Sequence, residues 1–210
     1  MFDSNNLYLF FIASIMLNLT PGNDMLYVIS RSLSQGFKAG VFSAIGIFIG
    51  CLVHIFAALV GLSYIIAKSA FLFELIKYAG AAYLLYLGIS SLFSRSKKEK
   101  KVDTIEEVNK WKLLKQGIIT NALNPKVAVF FLSFLPQFIN ISAGTVKLQL
   151  LTLGLWFDLQ GTFVLLIVAF LVGRTSNFIK NNPKIWAVQE KLTGAILVGL
   201  GIKLALSKRN

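Results

Sequence analysis

Mostly apolar stretches of twenty or more residues recur almost end to end along this chain, at 7–29, 40–67, 71–93, 116–141, 148–172 and 185–206. Each is long enough to cross a hydrocarbon core about 30 Å thick at a rise of about 1.5 Å per residue. The alternating pattern of a membrane barrel strand is absent. Backbone facing lipid must satisfy its own hydrogen bonds, so each stretch is predicted to be a helix. The expected fold is an all-α membrane protein with six transmembrane helices.

Two of these stretches carry a proline in mid-course, at Thr20-Pro21-Gly22-Asn23-Asp24 in the first and Asn124-Pro125-Lys126 in the fourth. A proline inside a span removes a backbone donor and clashes with the preceding turn, and Thr or Asn before it is a favoured N-cap. Thr20 and Asn124 are therefore each expected to start a half-helix within the membrane, presenting unpaired N–H groups and a positive dipole end suited to a carboxylate. Gly22 permits close backbone approach.

The two halves also resemble each other. Leu19-Thr20-Pro21-Gly22 matches Leu123-Asn124-Pro125-Lys126, and Ala79-Gly80-Ala81-Ala82-Tyr83 matches Thr193-Gly194-Ala195-Ile196. Pro21 to His54 and Pro125 to Asp158 are both 33 residues. Three spans per half is an odd number, so the second copy enters the membrane from the opposite side. The expected organisation is one transporter domain, 1–210, built as a first three-helix repeat (1–93), a basic cytoplasmic linker (94–115) and an inverted second repeat (116–210). Inverted repeats with interrupted helices place transport sites at their interface.

Charges within spans cost about 2.5–3.5 kcal/mol on insertion scales and usually face a partner or a cavity. Asp24 and Lys126 fall in the first turns of the two half-helices. Asp24 suits an ammonium or a coupling proton and Lys126 a carboxylate; a mutual salt bridge locking the halves is the alternative. Asp158, deep in the fifth span, suits a proton relay or a cation. His54 fits either a proton shuttle or a hydrogen bond to helix backbone. Asn18, Asn23, Asn121 and Gln160 read as interhelical glue or cavity lining. Gly46 and Gly50 form a GxxxG that favours an intrachain contact over a dimer seam, though a homodimer is possible. Glu74, Lys77 and Glu190, near span ends, are expected to be solvated.

Composition agrees with a lipid-embedded chain: 56% of residues are hydrophobic, only 14% are charged, and mean hydropathy is +0.70. The net charge of +12 has a topological reading. Fourteen Lys or Arg fall in or beside loops one, three and five, against six on the other side, which argues for those loops in the cytoplasm and both termini outside. The basic linker run is interleaved with Glu99, Asp103, Glu106 and Glu107 and carries no nucleic-acid-binding motif, so no nucleic-acid partner is expected; attraction to anionic lipid is. Cys51 is the single cysteine, which excludes an intrachain disulfide and a cysteine metal cluster; it is expected in the core. The first stretch lacks a basic n-region and is read as a retained helix. No cofactor is implied and no enzyme motif is present: there is no HExxH and no serine-nucleophile elbow. A metal-ion exporter would have only His54, Asp24 and Asp158 as ligands, a thin set. A purely structural or signalling membrane protein is the other alternative, disfavoured by the charges in mid-span.

Leu19-Thr20-Pro21-Gly22-Asn23-Asp24-Met25 and Asn121-Ala122-Leu123-Asn124-Pro125-Lys126, in a chain of this length, resemble the lysine exporter (LysE/RhtB) family over essentially the whole chain. The family's first motif usually has a second proline where Asn23 stands. The resemblance implies export of amino acids or close derivatives, such as lysine, threonine, homoserine, its lactone or leucine, across the prokaryotic cytoplasmic membrane, driven by protons or the membrane potential. It does not choose among those substrates.

Overall fold

The computed structural model describes residues 4–62, 70–93, 109–174 and 183–206. Among these every regular element is helical. In chain order they are α1 (Ser4–Leu19), α2 (Asn23–Gln35), α3 (Phe37–Ala57, running on as a wide π turn over Ala58–Leu62), α4 (Ala70–Phe93), α5 (Lys110–Ala122), α6 (Pro125–Val129), α7 (Val146–Arg174) and α8 (Pro183–Leu206). Beyond α6 the chain continues as a π turn, Phe130–Phe134, and a tight turn, Leu135–Phe138.

By length and composition, Phe37–Gly61, Phe71–Phe93 and Val146–Arg174 can each cross a bilayer. The pair Lys110–Ala122 and Pro125–Phe138, bent by 45°, makes a fourth if taken as one span. Leu7–Leu19 and Gly194–Leu206 are shorter apolar helices. The chain is a multi-pass membrane protein on these grounds. Apolar side chains such as Phe56, Phe71, Phe93, Tyr86 and Phe163 point outward, the arrangement expected where the surrounding solvent is lipid rather than water.

Helices approach closest where glycines face each other. A Cβ on Gly46 would lie 2.5 Å from the Leu114 carbonyl, and one on Gly50 would lie 2.7 Å from that of Ile118. Gly117 returns the contact, its Cβ falling 2.9 Å from Gly46 Cα. The GxxxG of α3 is thus an intrachain seam with α5, as expected from sequence. A second glycine contact joins α4 to α8, where a Cβ on Gly88 would lie 2.8 Å from the Gly194 carbonyl. Small residues here let backbones approach to van der Waals distance, the main source of helix association in lipid.

An aromatic core fills the space beside the α6 turns. The Phe130 ring stacks on Phe157 at 4.1 Å between centroids, and Phe10 meets Phe138 edge to face at 5.3 Å. Such pairs add to burial through quadrupole geometry.

Three expectations need correction or relocation. Lys77 is not solvated: it is 3% exposed, with its ammonium paired to Glu74 one turn earlier and lying 4.5 Å from the centre of the Tyr78 ring. Its face of α4 turns toward the bundle, where Ser133 of the π turn donates to the Ile76 carbonyl at 2.9 Å. The stretch read as linker, 94–115, ends inside α5, whose first residue is Lys110 and whose N-cap is Asn109, accepting from the Lys112 N–H at 3.0 Å. The basic run from Arg95 to Lys101, with Lys68, Lys180, Lys208 and Arg209, lies outside the described residues, as does the side chain of Glu190.

Candidate functional site

Between Leu19 and Asn23 the helical backbone stops, and Pro21 supplies the reason. Leu17 would pass its carbonyl to the N–H four residues on, but position 21 has none. The Thr20 hydroxyl turns backward and donates to the Met16 carbonyl at 2.7 Å. Thr20 therefore closes α1 and does not cap the next helix, contrary to expectation. The N-cap of α2 is Gly22, in an extended conformation with no side-chain cap bond. The N–H groups of the first turn of α2 are left to other partners, and Asp24 stands among them, a favourable place for a negative charge.

The second break is capped differently. Asn124 is the N-cap of α6, its Oδ1 accepting from the Lys126 N–H at 3.0 Å, with Pro125 in the first helical position where a missing donor costs nothing.

The two breaks touch. The Lys126 ammonium donates to the Thr20 carbonyl at 2.9 Å and to the Leu17 carbonyl at 3.2 Å, both at the negative end of α1; the Leu17 carbonyl, denied its usual donor by Pro21, also accepts from the Thr20 N–H at 3.2 Å. Its aliphatic stem crosses directly over Gly22, where a Cβ would lie 3.2 Å from Nζ and 3.3 Å from Cε. Lys126 is thus spoken for by backbone carbonyls. Among the described residues it forms no ion pair with Asp24.

Asp24 is held by Asn121, the next-to-last residue of α5. Asn121 Nδ2 donates to Asp24 Oδ2 at 2.9 Å, while His54 Nε2 donates to the Asn121 carbonyl at 2.9 Å. The His54 ring also stacks on Phe131. Of its two expected roles, the geometry supplies the backbone contact: His54 fixes the residue that fixes Asp24. Asn18 does similar work on the other wall, donating from Nδ2 to the Phe157 carbonyl at 3.2 Å and to Gln160 Oε1 at 3.3 Å. That clamp ties α1 to α7 beside Asp158.

These groups surround a small cavity of about 30 Å³, room for about two waters. Its lining mixes polar residues, Asn18, Thr20, Asp24, Asn121, Lys126, Asp158 and Thr162, with apolar ones, Met25, Ile47, Val127, Phe157 and Leu165. Cys51 also faces it, so the buried cysteine is core and cavity wall at once.

Of the residues singled out from sequence as site or cavity-lining candidates, Asn18, Thr20, Asp24, Asn121, Lys126 and Asp158 line the cavity. Pro21, Gly22, Asn124 and Pro125 shape the breaks without lining it, His54 stands one residue behind, and Asn23 is exposed on the outer side of α2. Thr162 was missed. It lies one helical turn beyond Asp158 on the same face of α7, and that spacing of four was the available signal. Among the described residues no three His, Cys, Asp or Glu side chains converge as metal ligands.

Comparison with known proteins gives the following. A family model described as "LysE type translocator" matches residues 15–208. The chain is 36% identical to the uncharacterized membrane protein YrhP of Bacillus subtilis (strain 168), over 93% of this chain and 96% of that one. It is 29% identical to the leucine efflux protein of Salmonella choleraesuis (strain SC-B67), over 95% of this chain and 94% of that one. No solved structure matches it.

Proposed function

This chain belongs to the LysE type translocator family, and on that premise we propose that it exports an amino acid or a close derivative across the prokaryotic cytoplasmic membrane. The observation that carries the proposal is the cavity where the two helix breaks meet, with Asp24 on one break and Lys126 on the other. A zwitterion presents one charge of each sign. A carboxylate beside an ammonium, in a site walled from lipid and next to an apolar surface, suits an amino acid with a short aliphatic side chain. The name of the leucine efflux protein points the same way, and threonine, homoserine and lysine types remain within the proposal.

In this reading the six spans form two inverted three-helix repeats that rearrange around the cavity by alternating access, with both termini outside. A proton exchanged at Asp24 or Asp158 couples transport to the proton gradient, with His54 tuning Asp24 through Asn121. The small cavity corresponds to a contracted state that must widen for substrate to enter.

Counterflow in proteoliposomes tests this. Vesicles loaded with unlabelled leucine, threonine or lysine should accumulate the matching external labelled amino acid well above protein-free vesicles. Asp158→Asn should abolish acceleration by an imposed pH gradient while leaving some counterflow. If none of the amino acids exchanges, export of amino acids is the wrong function.

A further inference from the structure

Four polar side-chain atoms of the cavity lining are buried without a hydrogen-bond partner: Asp24 Oδ1, Asn121 Oδ1, Asp158 Oδ2 and Thr162 Oγ1. All four are oxygens. Nitrogen donors of the same lining already have partners: Asn18 with Phe157 and Gln160, Asn121 with Asp24, Lys126 with Leu17 and Thr20. Asp24 Oδ1, Asn121 Oδ1 and Asp158 Oδ2 can accept, and the Thr162 hydroxyl can accept or donate, so free acceptors outnumber free donors in the lining. Asn121 is 2% exposed and Asp158 is 4% exposed, so these oxygens have no recourse to bulk water. Buried acceptors left unmade are strongly selective for a ligand that brings N–H groups.

We infer that these four oxygens, on α2, α5 and α7, form the seat of a primary ammonium, and that the ammonium alone is the minimal ligand of the site. This rests on the reading of the cavity as the transport site and deepens it by assigning Asn121 and Thr162 as binding residues and fixing the order of recognition. An ammonium has three N–H donors for this set, and one ionised carboxyl group balances its charge. The carboxylate of an amino acid adds contact only when Lys126 lets go of the α1 carbonyls and turns to it. In the contracted state Lys126 occupies those carbonyls with its own ammonium, so recognition of the acid end is conditional and recognition of the amine end is built in.

The experiment uses the purified full-length protein and three matched sets of probes, with binding read by calorimetry. Leucine is compared with 3-methylbutylamine and 4-methylpentanoate, threonine with 1-amino-2-propanol and 3-hydroxybutanoate, and lysine with cadaverine and 6-aminohexanoate. In whichever of the leucine and threonine sets the amino acid binds, the amine should also bind and the acid should be weaker than the amine by about a hundredfold or more. If only lysine binds, cadaverine should retain binding. Thr162→Val and Asn121→Leu should each weaken the amine by about three- to tenfold, the worth of one hydrogen bond, and Thr162→Ser should restore it. An amino acid that binds while its amine does not would overturn the ammonium seat and leave the export reading standing. Amine affinity unmoved in folded Thr162→Val would overturn the seat as well. Failure of every probe, amino acids included, would overturn both.

Discussion

Lys126→Ala should lower amino-acid counterflow by about ten- to a hundredfold, the effect of deleting charge-assisted hydrogen bonds of about 1.5–3 kcal/mol. Two losses add. The Leu17 and Thr20 carbonyls at the end of α1 lose the ammonium that donates to them at 3.2 and 2.9 Å, and the proposed carboxylate loses its counter-charge. Lys126→Arg should fail to rescue, because the stem passes over Gly22 with no room to spare and a planar guanidinium is broader than an ammonium. Lys126→Met keeps the stem and the packing on Gly22 while removing the charge, so its thermal stability in detergent should exceed that of Lys126→Ala while its counterflow stays low. Full-rate counterflow by either neutral variant would remove Lys126 from the site.

The second large effect is on folding. Gly117→Val should prevent accumulation of stable protein in the membrane, and Gly117→Ala should lower thermal stability markedly. A Cβ at this position meets the Ser43 carbonyl at 2.7 Å and Gly46 Cα at 2.9 Å. Both obstacles are backbone, which a rotamer change cannot move. Overpacking costs about 1–3 kcal/mol where side chains can yield, and more is expected where they cannot. Because α3 carries His54 and α5 carries Asn121, spreading this seam also pulls apart the 2.9 Å contact behind Asp24. Gly61→Ala, with nothing within 4 Å of its added carbon, is the control and should be near neutral.

The difference between these two sets of residues explains how far the sequence could be read. Glycine spacing is a local property: Gly46 and Gly50 lie on one helix face by periodicity alone, and a close contact there follows whichever partner is found. Prolines likewise announce where a helix must stop, so Pro21 and Pro125 locate the ends of α1 and the start of α6. What a residue does across a break depends on three-dimensional competition. Thr20 could have capped forward or closed backward, and the Met16 carbonyl was nearer at hand. Lys126 could have met Asp24, but the carbonyls at the end of α1 lay in its path. Lys77, near the end of an apolar stretch, looked solvated because its depth in the bundle depends on which face of α4 meets the π turn after α6, and no spacing rule states that. Thr162 was silent for a similar reason: a lone threonine in an apolar helix ordinarily bonds back to its own backbone, and only its neighbours show that its hydroxyl faces the cavity instead.

The central claim is that substrate occupies the cavity where the breaks meet, and the chain's single cysteine reports on it directly. Cys51 lines that cavity beside Asp24 and Asp158. The rate of Cys51 alkylation by a small membrane-permeant maleimide, measured by mass spectrometry on protein in proteoliposomes, should fall several-fold when a transported amino acid is added, and Asp24→Asn should erase that protection. An alkylation rate indifferent to an amino acid that the same vesicles demonstrably exchange would put the transport site elsewhere.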